Sequence, residues 1–168
     1  MSLKRRLLIF ADDAVIFYHG GGSPSLHDKH IFLSPHARIA RDYANQTVFK
    51  SGKPTTDQPA YLHSYQLKFP HDKIFDPQRR DELNKLIAAV KQHNLTTVDP
   101  YLKIDLNNLV QRGASRPGLS FAYMRDLRPM LIKLGYQAAI VNEGSQDYSL
   151  NVFNPLHDLQ AVKIEQIK

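Results

Sequence analysis

The order of strand-like and helix-like segments constrains this chain most. Predicted strands cluster at the two ends of the sequence, at 5–10, 14–19, 30–35 and 60–69 and again at 136–141, 147–155 and 159–167. Helical periodicity lies between them, after Ser34, after Asp76 and over 120–134. Strands grouped in this way are typical of an α+β fold, whereas alternating strand–helix–strand units build a parallel sheet. We therefore predict an α+β fold.

Capping and breaking residues give the predicted helix limits. Ser34 with Pro35, and Asp76 with Pro77, resemble N-cap residues followed by a proline at the first helical position. Pro129 predicts a helix break near Arg125. Residues on the buried faces are predicted by i, i+3, i+4 spacing: Ala37, Ala40, Tyr43 and Ala44 in the first helix, and Leu83, Leu86, Ile87 and Val90 in the second. Gly135 is the predicted stop of the third helix.

Composition excludes several classes of protein. The 168 residues, 42% hydrophobic and 23% charged, predict a single globular domain over 1–168. The chain has no cysteine, which rules out disulfides and zinc–thiolate sites and is compatible with the cytoplasm. No apolar run is long enough for a membrane span. The net charge of +6 is scattered along the chain, which predicts a solvated surface of mild positive bias.

The stretch "FYHGGG" is the first candidate functional motif. A strand predicted to end at His19 is followed by three glycines, which suit a tight turn or a close approach of a ligand to the main chain. The motif is neither a dinucleotide-binding fingerprint nor a P-loop, and no G-x-S-x-G elbow occurs. The spacing of His27, His30 and His36 indicates surface histidines, so no metal site is predicted. The sequence also leaves open a ribonuclease that uses His19 with a second histidine, although no feature of the sequence identifies that second histidine.

Two aromatic residues complete a constellation with His19. Phe32 lies on the next predicted strand and Tyr43 on the adjoining helix. Two facing rings form a slot suited to a flat cationic heteroaromatic ring such as nicotinamide. His19 and the backbone of Gly20 can hydrogen-bond the same ligand. The alternative is that both aromatic rings belong to the core.

In this order the motifs resemble the ADP-ribosyltransferase-like superfamily, in the His-Tyr-Glu branch shared by diphtheria-type toxins and poly-ADP-ribose polymerases. "FYHGG" resembles its first motif, and "IFLSPHARIARDYA" resembles its second. "LGYQAAIVNEGSQDYSLNVFNP" is similar to its closing segment. The resemblance implies two packed, mostly antiparallel sheets that form a cleft and are flanked by helices.

The resemblance also implies roles for named residues. His19 would bind the NAD ribose, Gly20 the nicotinamide amide, and Ser34 would lie beside the nicotinamide ribose. Phe32 and Tyr43 would stack on the nicotinamide ring. The turn over 142–147 would correspond to the family's target-recognition loop.

One departure concerns the catalytic glutamate. Counting back from "FNP", its position is held by Ser149, which cannot supply the negative charge that stabilises an oxocarbenium-like sugar. Asp147 lies two residues away on the same strand face, and Glu143 lies in the preceding turn. Either can replace the glutamate, or the chain binds its ligand without efficient transfer.

The function implied is an NAD-dependent mono-ADP-ribosyltransferase of bacterial or phage type, with a protein or nucleic acid as target. It would be cytoplasmic, or delivered into another cell as a toxin-like effector, with no metal and no membrane partner. The alternative is a weak or inactive module of the same fold that binds NAD-like or nucleic-acid ligands. A third class, an RNA 2′-phosphotransferase-like enzyme, normally needs further basic residues that the motifs do not assign.

Overall fold

The described residues of this computed structural model are 15–26, 30–47, 59–92, 119–120, 123–142 and 148–167. Within them the chain forms, in order, β1 (Phe17–Gly21), β2 (Ile31–Leu33), α1 (Ala37–Thr47), β3 (Tyr61–Leu67), a 3-10 turn (His71–Lys73), β4 (Ile74–Phe75), α2 (Arg80–Gln92), β5 (Leu119–Ser120), α3 (Met124–Lys133), β6 (Ala138–Asn142), β7 (Tyr148–Val152), α4 (Pro155–Asp158) and β8 (Leu159–Gln166).

These elements make an α+β protein with two sheets, as the sequence predicts. One sheet has the order β1-β3-β8 and is antiparallel throughout. The other has the order β2-β7-β6-β4, and β5 also pairs with β6. Both β4 and β5 run parallel to β6, so the expected antiparallel pairing does not extend to these two pairs.

By its internal contacts the chain divides into two compact units. The first comprises 1–9 and 70–150, and the second comprises 10–69 and 151–168. None of the helices that the described residues form is long and apolar enough to span a membrane.

In the first unit, α2 buries the stripe that its spacing predicts. Leu83, Leu86, Ile87 and Val90 are all buried. The helix begins at Arg80 rather than at Pro77, because Asp76 and Glu82 cap the preceding turn. The Asp76 carboxylate accepts the Gln78 N–H at 2.9 Å, and the Glu82 carboxylate accepts the Asp76 N–H at 2.8 Å. Both donors lie before Arg80, so the two bonds hold the turn that leads into α2.

The helix α3 packs against α2 and runs through Pro129. The predicted break near Arg125 is therefore wrong. Pro129 lies on the exposed side, where water can solvate the carbonyl that loses its partner, while Leu127 and Leu131 anchor the buried side. The predicted stop at Gly135 is confirmed: its φ is +88°, and its N–H donates to the carbonyl of Ile132 at 2.9 Å.

In the second unit, α1 packs against β1 and β3. The predicted strand end at His19 is wrong, because β1 continues through Gly20 and Gly21. The predicted start of the first helix at Pro35 is also wrong, since α1 begins at Ala37 and the Ser34 hydroxyl accepts the His36 N–H at 3.0 Å.

The predicted strand at 5–10 and the loop or subdomain at 95–118 lie outside the described residues.

Candidate functional site

His19 is held in one tautomer by the strand beside it. Its half-buried ring lies on β1, and Nδ1 is 3.0 Å from the carbonyl oxygen of Phe32 on β2. A carbonyl only accepts, so Nδ1 carries the proton and donates it, and in the neutral ring Nε2 is an acceptor. The bond joins His19 to the backbone of Phe32, and the predicted convergence of the Phe32 and Tyr43 rings with His19 on one cleft stays a prediction. An acceptor nitrogen is what a donor such as a sugar hydroxyl requires.

Gly20 and Gly21, which follow His19 on β1, have different surroundings. A Cβ on Gly20 would overlap the carbonyl oxygen of Ala40 and lie 2.8 Å from the nitrogen of Ala44, so α1 approaches the strand only because residue 20 is glycine. A Cβ on Gly21 would lie 3.4 Å from Nε2 of His19. This is ordinary van der Waals contact, so only the glycine at 20 is required by packing. The amide-binding role of the Gly20 backbone stays a prediction.

The two predicted stacking residues differ in exposure. Phe32 is half-buried, with the ring of His30 edge-on at 5.9 Å between centroids. Tyr43 was predicted on the buried face of the first helix, but it is 43% exposed, while Ala40 and Ala44 on α1 are buried. Tyr43 is therefore not a core residue, and its ring has surface available to a ligand.

Ser34 lies at the junction between β1 and β2. It is buried, and its backbone exchanges two hydrogen bonds of 2.8 Å with Tyr18. Its hydroxyl oxygen already accepts the His36 N–H. These contacts fix the approach of β2 to β1, and the predicted place of Ser34 beside a ribose stays a prediction.

Sequence reasoning missed a second histidine, directly across the sheet from His19. His63 pairs with His19 in register, and their ring centroids are 5.9 Å apart. His63 is 1% exposed. Its Nε2–H donates to the carbonyl oxygen of Ser23 at 2.9 Å, and the hydroxyl of Tyr65 donates to its Nδ1 at 3.0 Å. The available signal was a polar residue in the middle of the alternating stretch "AYLHSYQLKF".

Burial favours the neutral form of His63. Burial lowers the pKa of the His63 imidazole, against the opposing effect of its bond to Ser23. Burial also raises the pKa of Tyr65 to about 12, which keeps the phenol a donor. Because both ring nitrogens are engaged, His63 is not placed to transfer protons as the second histidine of a ribonuclease. Its hydrogen bond instead holds the backbone carbonyl of Ser23, the residue that follows the three glycines.

The predicted acidic positions fall partly outside the described residues. Glu143 and Asp147 lie outside them, whereas Ser149 lies on β7 and is 3% exposed.

Two residues after Ser149, the amide of Asn151 is fully buried and donates through Nδ2 to the carbonyl oxygen of Ile31 at 3.2 Å. Its Oδ1 has no hydrogen-bond partner in the part of the chain that the structure describes. Sequence reasoning did not single out Asn151, a polar residue between the apolar Leu150 and Val152.

No group of three or more histidine, aspartate or glutamate side chains among the described residues is arranged to hold a metal ion. Comparison with protein families, with curated proteins and with solved structures finds no match to this chain.

Proposed function

We propose that this protein is an NAD-dependent mono-ADP-ribosyltransferase of bacterial or phage type. It transfers ADP-ribose from NAD to a protein or nucleic-acid target, with release of nicotinamide, through an ADP-ribosyltransferase-like fold. The observation that carries the proposal is the hydrogen bond from Nδ1 of His19 to the Phe32 carbonyl, which fixes the tautomer and makes Nε2 an acceptor in the neutral ring. This arrangement suits recognition of a ribose hydroxyl, which donates to an imidazole acceptor.

The aromatic side chains supply the second part of the argument. Phe32 is half-buried and Tyr43 is 43% exposed, so both rings have surface left for stacking on a flat ligand. A ring that carries positive charge, as nicotinamide does in NAD, gains additionally from the faces of aromatic side chains. The net charge of +6 favours the approach of an anionic diphosphate.

The chemical step moves positive charge from the nicotinamide ring to the sugar, where an anion can stabilise it. The bond between the ribose and the nicotinamide nitrogen breaks, its electron pair leaves with nicotinamide, and the sugar becomes oxocarbenium-like. A nucleophile of the target then attacks the sugar and loses its proton. A carboxylate that stabilises the cationic sugar lowers the barrier by electrostatics. We assign this role to Asp147 or Glu143.

The burial of Ser149 favours a second candidate function. At the position of the family's glutamate this side chain is neutral and 3% exposed, so it offers neither charge nor access. If neither Asp147 nor Glu143 replaces the glutamate, the protein is a module of the same fold that binds NAD-like or nucleic-acid ligands without transfer.

The decisive experiment measures binding and turnover separately. Calorimetry with NAD tests binding by the wild type, by His19→Ala and by a matched control, His36→Ala, which changes an exposed histidine. Labelled NAD incubated with a cell lysate tests transfer, and nicotinamide release tests turnover. We expect His19→Ala alone to lose binding, and Asp147→Ala or Glu143→Ala to lower turnover about a hundredfold while binding persists.

Each other outcome has a definite meaning. NAD binding without turnover, unchanged in both acidic variants, establishes the binding module instead of the transferase. If the wild type shows no saturable binding of NAD, the transferase is overturned, and so is a module that binds NAD-like ligands.

A further inference from the structure

The strand β8 forms one edge of the sheet β1-β3-β8. In the part of the chain that the structure describes, β8 pairs with β3 on one side and with no strand on the other. Two apolar side chains on it are exposed: Val162 is 51% and Ile164 is 46% exposed. Natural sheets usually protect such edges, because a row of outward backbone groups invites another strand.

The register shows which backbone groups of β8 point outward. The Ile167 N–H donates to the carbonyl oxygen of Ala60 at 2.8 Å, so this antiparallel pair is a hydrogen-bonded one. Bonded and non-bonded pairs alternate along an antiparallel ladder. Ile164 lies three positions before Ile167 on β8 and pairs with His63. It therefore belongs to a non-bonded pair. Its N–H and C=O point away from β3, toward the open edge.

Two opposite charges flank Ile164. Lys163 and Glu165 lie on the sheet face opposite Ile164, with Nζ and Oε2 2.9 Å apart, and their side chains are 66% and 40% exposed. An isolated lysine in the middle of an edge strand normally blocks pairing. Here the lysine is followed two residues later by an acid, so a strand with the reverse charge order can satisfy both.

The charge order selects the partner. In an antiparallel pair centred on Ile164, Lys163 of one chain faces Glu165 of the other, and the opposite contact forms as well. If the two-fold axis passes through Lys163 or Glu165 instead, that residue faces its own copy. An in-register parallel pair also places identical charges opposite each other. Like charges directly opposite each other on neighbouring strands are destabilising. The strand is thus complementary to itself in one arrangement.

We propose that β8 is a dimerisation surface at which a second copy of this chain adds its own β8 antiparallel, about a two-fold axis at Ile164. The pairing joins two three-stranded sheets into one of six strands. The register shift opposite Ser64 and Tyr65 leaves Val162 without a partner on β3, and this bulge restricts regular pairing to the C-terminal half of β8. The interface is therefore small, and the dimer depends on protein concentration.

The test uses charge reversal and its compensation. Sedimentation velocity at low salt, over about a hundredfold range of protein concentration, compares the wild type with Lys163→Glu, with Glu165→Lys and with the double exchange. Each single reversal opposes like charges twice and is expected to weaken dimerisation about tenfold or more. The double exchange restores opposite charges and is expected to recover the dimer. Circular dichroism verifies that every variant is folded.

Three results would overturn the proposal. These are a wild type that stays monomeric over the whole range, single reversals that dimerise as the wild type does, and a double exchange that fails to recover the dimer. None of the three depends on NAD, so the test is independent of the proposed function.

Discussion

At the scale of single residues, the pair His19 and His63 shows how two identical side chains acquire different uses. His19 is half-buried, and its Nδ1 donates to the carbonyl of Phe32, which makes Nε2 the acceptor of the neutral ring. His63 is buried, and both of its nitrogens are engaged by Ser23 and Tyr65. The difference arises from burial, since a buried polar group must be satisfied within the protein.

Burial of His63 predicts a pH dependence of stability. The folded pKa of His63 lies below the ordinary value of 6.5, so at mildly acidic pH the unfolded chain binds a proton that the folded chain does not. The free energy of unfolding therefore falls as the pH drops below about 6.5, with a slope of at most about 1.4 kcal/mol per pH unit from this group. Urea unfolding between pH 7.5 and about 5 measures the slope.

Two variants test whether His63 causes this pH dependence of the free energy of unfolding. His63→Gln is expected to be less stable than the wild type at neutral pH, because the network with Ser23 and Tyr65 is disturbed, and to have a smaller slope. His36→Gln, at an exposed histidine, is the control and is expected to keep the wild-type slope. An unchanged slope in His63→Gln would contradict a buried neutral imidazole.

At the scale of elements, the contact between β1 and α1 predicts a sharp contrast between neighbouring glycines. Gly20→Ala places a methyl group into the Ala40 carbonyl, so strand and helix must separate, at a cost of about 3 kcal/mol. Gly22→Ala meets nothing closer than the Pro59 carbonyl oxygen at 3.9 Å, and is expected to change stability by less than about 0.5 kcal/mol. Urea denaturation of the two variants measures the difference; equal stabilities would show that α1 does not approach this strand.

The end of α3 gives a second prediction at this scale. Gly135 has φ +88°, a left-handed conformation in which a Cβ is strained although no atom lies within 4 Å of its position. Gly135→Ala is expected to lower the free energy of unfolding by about 1 kcal/mol. Gly135→Asn, a residue that tolerates this conformation better, is expected to lose less. The reverse order of these two variants in urea denaturation would show that strain is not the cause.

Local signals explain which elements could be predicted from the sequence. The buried stripe of α2 and the stop at Gly135 depend on spacing and on one residue's backbone freedom, and both are confirmed. The break predicted at Pro129 failed because buried neighbours on α3 outweigh one lost hydrogen bond. The strand end predicted at His19 failed because Gly20 and Gly21 pair with Leu62 and Tyr61 on β3, a long-range pairing that no local pattern contains.

At the scale of the whole molecule, the α+β class could be predicted and the pairing of strands could not. The sheet β1-β3-β8 pairs segments that lie far apart in the chain, and sequence spacing carries no information on that register. The same limit applies to the site. The bond between His19 and the backbone of Phe32 joins segments that are neighbours in the sequence, whereas His63 enters only through the pairing of β1 with β3.

The proposed ligand gives a prediction for the molecule as a whole, because a compound that binds only the folded chain raises its stability by mass action. At a concentration of NAD about 100 times the dissociation constant, the gain is about 2.7 kcal/mol, which differential scanning calorimetry detects as a rise in Tm. The rise is expected to shrink as salt is added, since screening weakens the attraction between a chain of net charge +6 and a diphosphate. His19→Ala is expected to abolish the rise and Gly22→Ala to preserve it, because only the first removes the acceptor nitrogen. A Tm that NAD leaves unchanged, or a rise of the same size in His19→Ala, would show that the imidazole of His19 on β1 does not bind this ligand.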